Sequence, residues 1–131
     1  MIVEIGSDRT ALRMASLVTA VNVVVASGFS IAGLLNPQSI LPSGVSPTDA
    51  SQIFAMYAAA RTLPLALIAL TTLGRKPWIL PLGTLAGVVQ LLDAGVGLFQ
   101  HDPGKTIGPL VIAALQFAVL FNLTRGRHAV S

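Results

Sequence analysis

Four stretches of about twenty residues with almost no charge follow one another along this 131-residue chain. They run from about Met14 to Leu35, Ser51 to Leu73, Trp78 to Phe99 and Thr106 to Thr124. About twenty residues at 1.5 Å rise cross the roughly 30 Å of hydrocarbon in a bilayer. A single stretch of this kind could be the core helix of a water-soluble domain. Four in a row predict an all-α membrane protein: an up-down bundle of four transmembrane helices, one domain over residues 1–131.

The balance of residue types agrees. The chain is 53% hydrophobic and 10% charged, against about a quarter charged in an average soluble domain, and its mean hydropathy is +0.79. Membrane lipid is therefore the expected surrounding. The net charge of +3 comes from cations placed singly or in pairs at span ends, so they read as topology signals, and no nucleic-acid partner is expected. Without cysteine the chain has no disulfide, no thiol nucleophile and no cysteine metal ligand. No phosphate loop, nucleophile elbow, zinc spacing or dinucleotide fingerprint occurs, and no cofactor or metal is expected. His101 and Asp102 are adjacent but lack further ligands of the same kind nearby.

Turn chemistry separates the spans. Asn36-Pro37 stops the first, and Pro42-Ser43-Gly44 continues an irregular segment. Ser46-Pro47-Thr48-Asp49 reads as an N-cap, a proline in the first turn and an acidic residue three after the cap. Arg75-Lys76-Pro77 and His101-Asp102-Pro103-Gly104-Lys105 are tight connections. Arg9, Arg13, Arg75, Lys76, Arg125 and Arg127 fall on one side of the membrane and only Lys105 on the other. The positive-inside rule predicts a multi-pass protein of the cell membrane with both termini cytoplasmic. The first span is too long for a secretory signal core and lacks a clear cleavage site, so it is expected to stay as an anchor. Pro64, Pro81 and Pro109 read as packing adjustments, and Trp78 as an interfacial anchor.

Two charges interrupt the apolar stretches, Arg61 in the second and Asp93 in the third. A charge at membrane depth costs at least about 2.5–3.5 kcal/mol on insertion scales, so it is rarely present without a partner or a task. At 1.5 Å per residue Arg61 lies about 15 Å below the outer end of its span and Asp93 about 9 Å below the end of its own. Tyr57 lies one turn outward of Arg61, Gln90 one turn inward of Asp93, and Gln116 and Asn22 stand at similar depth. These six are the candidate site: Asp93 and Arg61 as catalytic candidates, Tyr57, Gln90, Gln116 and Asn22 as binding residues. At 100° per residue, Gly83, Ala86, Gly87, Gln90, Asp93, Ala94 and Gly97 form one small or polar face of the third span, which suits close helix contact. Asp93 is therefore expected to point into the bundle and meet Arg61.

Tyr57-Ala58-Ala59-Ala60-Arg61, an apolar helix, the basic turn and then Leu91-Leu92-Asp93-Ala94 form a pattern that resembles the small bacterial and fungal four-helix membrane proteins near the DoxX-like families. In those an arginine early in helix two and an Asp-Ala late in helix three recur. The resemblance covers about residues 10–125, implies the four-helix fold and the Arg61–Asp93 pairing, and brings no activity with it.

Several readings of the polar residues stand at this point. They form a structural ion pair with interhelical hydrogen bonds, they line a pocket, or they mark an ion path. The first function that follows is a binding or accessory membrane protein that holds a lipophilic small molecule or serves as a scaffold subunit, with a second copy of the chain as a candidate partner. The alternative is a cofactor-free membrane enzyme, an epoxide hydrolase, cyclase or isomerase acting on a terpenoid- or polyketide-like substrate, with Asp93 as general acid or base.

Overall fold

The computed structural model describes residues 2–125. Four long helices are present, α1 (Ile2–Leu35), α2 (Asp49–Thr71), α3 (Lys76–Phe99) and α4 (Pro103–Arg125), with a 3-10 turn at Pro37–Ser39. Each of the four is long and apolar enough to cross a membrane. The chain is a multi-pass, all-α bundle, and the helix bounds follow the apolar stretches closely except at the start of α1. There the helix runs for about three further turns before Met14, through Asp8, Arg9 and Arg13. Those residues resist hydrocarbon but do not break a helix, so the span continues as a solvated helix beyond the apolar region.

Local chemistry sets the other ends. The structure moves the cap of α2 from Ser46 to Thr48. Thr48 is extended (φ −125°, ψ 165°), its hydroxyl accepts the Ser51 N–H, and the Ser51 hydroxyl accepts the Thr48 N–H. This reciprocal capping box leaves Pro47 outside the helix, with Asp49 in the first turn. Between α2 and α3 Gly74 adopts φ +77°, a conformation that strains any residue with a Cβ. At the start of α4 the Asp102 carboxylate accepts the N–H groups of Gly104 and Lys105. Helices α2, α3 and α4 run unbroken through Pro64, Pro81 and Pro109.

The packing is up-down. Along α3, Gly83 faces Gln116 and Leu120, Gly87 faces Phe117, and Gly97 lies against the Lys105–Thr106 backbone, so α3 and α4 are antiparallel and nearly touching. Asn22 bonds to Gln90, and Asp8 to Lys76, which sets α1 parallel to α3. Gln52 donates to the Leu34 carbonyl at 3.4 Å, as antiparallel α1 and α2 require. Contact is most extensive between α3 and α4. Helix α1 seats against both, while α2 is held by α1 and meets α3 only marginally.

Alanines make up most of the inside, around a cluster of Ile79, Leu120 and Leu123 where α1, α3 and α4 meet. Ala15, Ala55, Ala59, Ala66, Ala69, Ala94 and Ala113 are buried, whereas Phe54, Leu67, Leu92 and Phe99 face outward. Where lipid is the solvent, large apolar side chains gain nothing by turning inward, and small ones let backbones approach.

Candidate functional site

Three of the six expected residues converge. Asn22 on α1 donates from Nδ2 to Oε1 of Gln116 at 3.1 Å, and Gln90 on α3 donates from Nε2 to Oδ1 of Asn22 at 2.8 Å. Gln116 on α4 then donates from Nε2 to the Thr19 hydroxyl at 2.9 Å. All four side chains are almost fully enclosed, none more than 2% exposed. No buried side-chain polar atom among the described residues lacks a hydrogen-bond partner. The chain of amides therefore stitches α1, α3 and α4 together through hydrogen bonds in the middle of the bundle. Thr19 was missed from sequence. Its signal was its place one turn before Asn22, on the stripe that also carries Ala15 and Val23.

The other three do not join it. Tyr57, Arg61 and Asp93 are all exposed on the outside of the helices. Arg61 lays its guanidinium over the Tyr57 ring, 5.8 Å from the centroid, which holds it on the outward face of α2. The ion pairs among the described residues are Lys76–Asp8 at 2.7 Å and Lys105–Asp102 at 3.6 Å, so the expected Arg61–Asp93 pair inside the bundle is absent. No hydrogen bond to the Asp93 side chain occurs among the described residues either.

The reason lies in α2. The buried stripe of α3 is Ile79, Gly83, Gly87, Gln90, Ala94 and Gly97. Asp93 follows Ala86 and Val89 instead, at spacings of seven and four residues, on the flank turned toward α2. That flank is open, because α2 stands away from it.

The gap is a shallow groove of about 80 Å³ lined by Thr62, Leu65 and Ala66 of α2 and by Leu82, Ala86 and Val89 of α3, with Val23 at its floor. Ligand pockets for drug-sized molecules run to roughly 300–1,000 Å³, so the groove holds part of a chain at most. None of these six side chains can exchange a proton. Arg61, one turn from Leu65, and Asp93, one turn from Val89, stand beyond the end of the groove nearer the α1–α2 and α3–α4 connections.

At the two ends of the bundle the charges are placed differently. Arg9, Leu12, Arg13, Ser16 and Gly74 border an open hollow of about 460 Å³ at the end that carries the α2–α3 turn. The Gly74 N–H bonds to the Ser16 hydroxyl there. At the opposite end Lys105 donates to the carbonyls of Ile40 and Leu41 and to Oε1 of Gln100, tying the two connections together. Arg127 lies outside the described residues. Among the described residues no three His, Asp or Glu side chains converge as metal ligands.

No family model, curated protein or solved structure matches this chain.

Proposed function

We propose that this chain is an integral protein of the cell membrane that acts by contact within the bilayer, as a binding or accessory subunit, rather than by catalysis. One observation carries the reading. The enclosed side chains of Thr19, Asn22, Gln90 and Gln116 bond to one another, while Arg61 and Asp93, of opposite charge, look outward from the membrane-spanning helices. A charge facing hydrocarbon is costly, and contact with a partner offsets that cost. An acid–base enzyme would instead hold its carboxyl group at the wall of a pocket large enough for the substrate. The resemblance to the DoxX-like proteins fits the same fold and adds no activity.

A second reading has a lipophilic molecule laid along the groove between α2 and α3, supported by the apolar lining of that groove. Its small volume makes it the weaker of the two.

The excess of arginine and lysine at the end carrying the termini supports a cytoplasmic location for both. The chain lacks cysteine, so Ser43→Cys and Ser7→Cys, both at exposed positions, can be labelled individually in intact cells. An impermeant maleimide is expected to reach the first and not the second; the reverse result refutes the orientation.

The functional reading is tested by extracting the protein with its surrounding bilayer into polymer nanodiscs and weighing the particles by native mass spectrometry. A mass above one chain and its bulk lipid is expected. A single chain with ordinary lipid alone would sink it.

A further inference from the structure

Resting on the reading of the Arg61 and Asp93 side as a contact face, the geometry points to a second copy of the same chain as its occupant: a two-fold dimer in which Arg61 of each copy meets Asp93 of the other. Both charges stand on the side of the bundle where α2 and α3 part, one on each wall beyond the groove. Neither has a counter-charge among the described residues.

Depth decides whether such a pairing is feasible, since a two-fold axis along the membrane normal keeps every residue at its own level. The groove is lined by Thr62, Leu65, Ala66 and Ala69 on α2 and by Leu82, Leu85, Ala86 and Val89 on α3, and centring these antiparallel walls on each other brings Thr62 near the level of Val89 and Ala69 near that of Leu82. Carried one turn further, that register places Asp93 near the level of Tyr57 and Arg61 near the level of Gln90. The backbone positions of the two charges thus differ by about three residues, or about 4.5 Å. Side chains of a helix lean toward its amino-terminal end. Those ends point in opposite directions in α2 and α3, so Arg61 leans toward the level of Asp93 and Asp93 leans toward the level of Arg61. The stacking of Arg61 on Tyr57 shows this lean directly. Arginine and aspartate therefore come to one depth.

A face carrying one positive and one negative group at equal depth is complementary to itself. Rotation by 180° sets each group against its opposite, and both contacts form at once. A face bearing a single sign would need a different protein to neutralise it. Ala58, one turn before Arg61 on the same side of α2, is small and exposed, and a small residue there lets the helices of two copies approach closely.

The dimer makes a prediction that no pairing inside one copy makes. In a homodimer of Arg61→Leu two aspartates lose their partners, and in a homodimer of Asp93→Leu two arginines do. A mixed dimer of the two variants keeps one complete Arg61–Asp93 pair and sets leucine against leucine at the other, so no charge is left alone.

The test is to co-express differently tagged copies, extract them in nanodiscs and measure how much of the second tag is captured with the first. Wild type is expected to capture itself. Each single variant should do so at least about tenfold less, a factor that the cost of a lone charge in hydrocarbon readily exceeds. Arg61→Leu with Asp93→Leu should recover most of the wild-type capture. The exchange Arg61→Asp with Asp93→Arg in one chain should restore self-capture and shows that the variants still fold. Variants that associate no better with each other than with themselves overturn the proposal, including the case in which only the exchange restores capture, since that places the pair within one copy. A wild type that is single in the membrane but bound to another protein overturns the dimer and leaves the contact reading intact. A wild type alone with bulk lipid removes both.

Discussion

Gly83 makes room for Gln116: a Cβ on residue 83 would stand 2.8 Å from Nε2 of Gln116 and about as close to the Leu120 methyl groups. The amide cannot swing aside freely, because its nitrogen donates to Thr19 and its oxygen accepts from Asn22. Gly83→Ala is therefore expected to destabilise by about 1–3 kcal/mol, the usual cost of overpacking, although alanine is the better helix former by about 1 kcal/mol. Gly95 on the same helix meets nothing within 4 Å, and Gly95→Ala should be neutral or stabilising. Thermal unfolding in one detergent compares the two. A Gly83→Ala protein that melts with or above wild type would mean that α3 and α4 are not packed this closely.

The amide chain should behave as a unit. Asn22→Leu removes the acceptor of Gln90 and the donor to Gln116 together, leaving two enclosed amides short of partners at a cost of about 1–3 kcal/mol. Adding Gln90→Leu removes one of the stranded amides, so the double variant is expected to melt above Asn22→Leu alone. Simple addition of the two single losses would show that the bonds do not couple α1 to α3.

How much of this was legible in the sequence depends on the range of the signal. The apolar lengths gave all four helices, and the 3.6-residue period gave the contact face of α3 through Gly83, Gly87, Gln90, Ala94 and Gly97. It also placed Asp93 within that face, pointing into the bundle, whereas the side chain is exposed. A helical wheel gives the angle of a side chain but not the distance to the next helix, and Asp93 is exposed because α2 stands off. No local residue encodes that gap. The network of Asn22, Gln90 and Gln116 was readable as a cluster at one depth, whereas its closure on Thr19 required three helices in place. The cap at Thr48 in place of Ser46 was a choice between two candidates two residues apart, settled by Ser51, which can return the hydrogen bond only to Thr48.

Lys105 joins the two connections at one end of the bundle. Its ammonium donates to Ile40 O and Leu41 O at 3.3 Å and to Gln100 Oε1 at 3.1 Å. Lys105→Met keeps the length of the side chain and removes those bonds, and should cost about 1–2 kcal/mol at this half-buried position. The effect is expected to be local. Amide hydrogen exchange over residues 37–45 should accelerate while the α3–α4 contact stays protected. Unchanged exchange in that connection would show that the clasp does not hold it.

Among the described residues Arg61 and Asp93 share no partner within one copy, and that gives their removal a different signature in detergent and in a bilayer. In micelles dilute enough to hold single chains, Arg61→Leu and Asp93→Leu should act independently, with the double variant equal to the sum within about 0.3–0.5 kcal/mol. In membranes the remaining charge has to face either hydrocarbon or a neighbour. Asp93→Leu leaves a guanidinium that cannot lose its proton, whereas Arg61→Leu leaves a carboxylate that can take one up and become neutral. Loss of the aspartate is thus expected to be the more damaging of the two, read as the lower steady-state level in membranes, and the double variant should stand above both. A coupling of more than about 1 kcal/mol between the two sites in single chains would contradict this geometry, because it requires the side chains to meet across the groove and α2 to close onto α3.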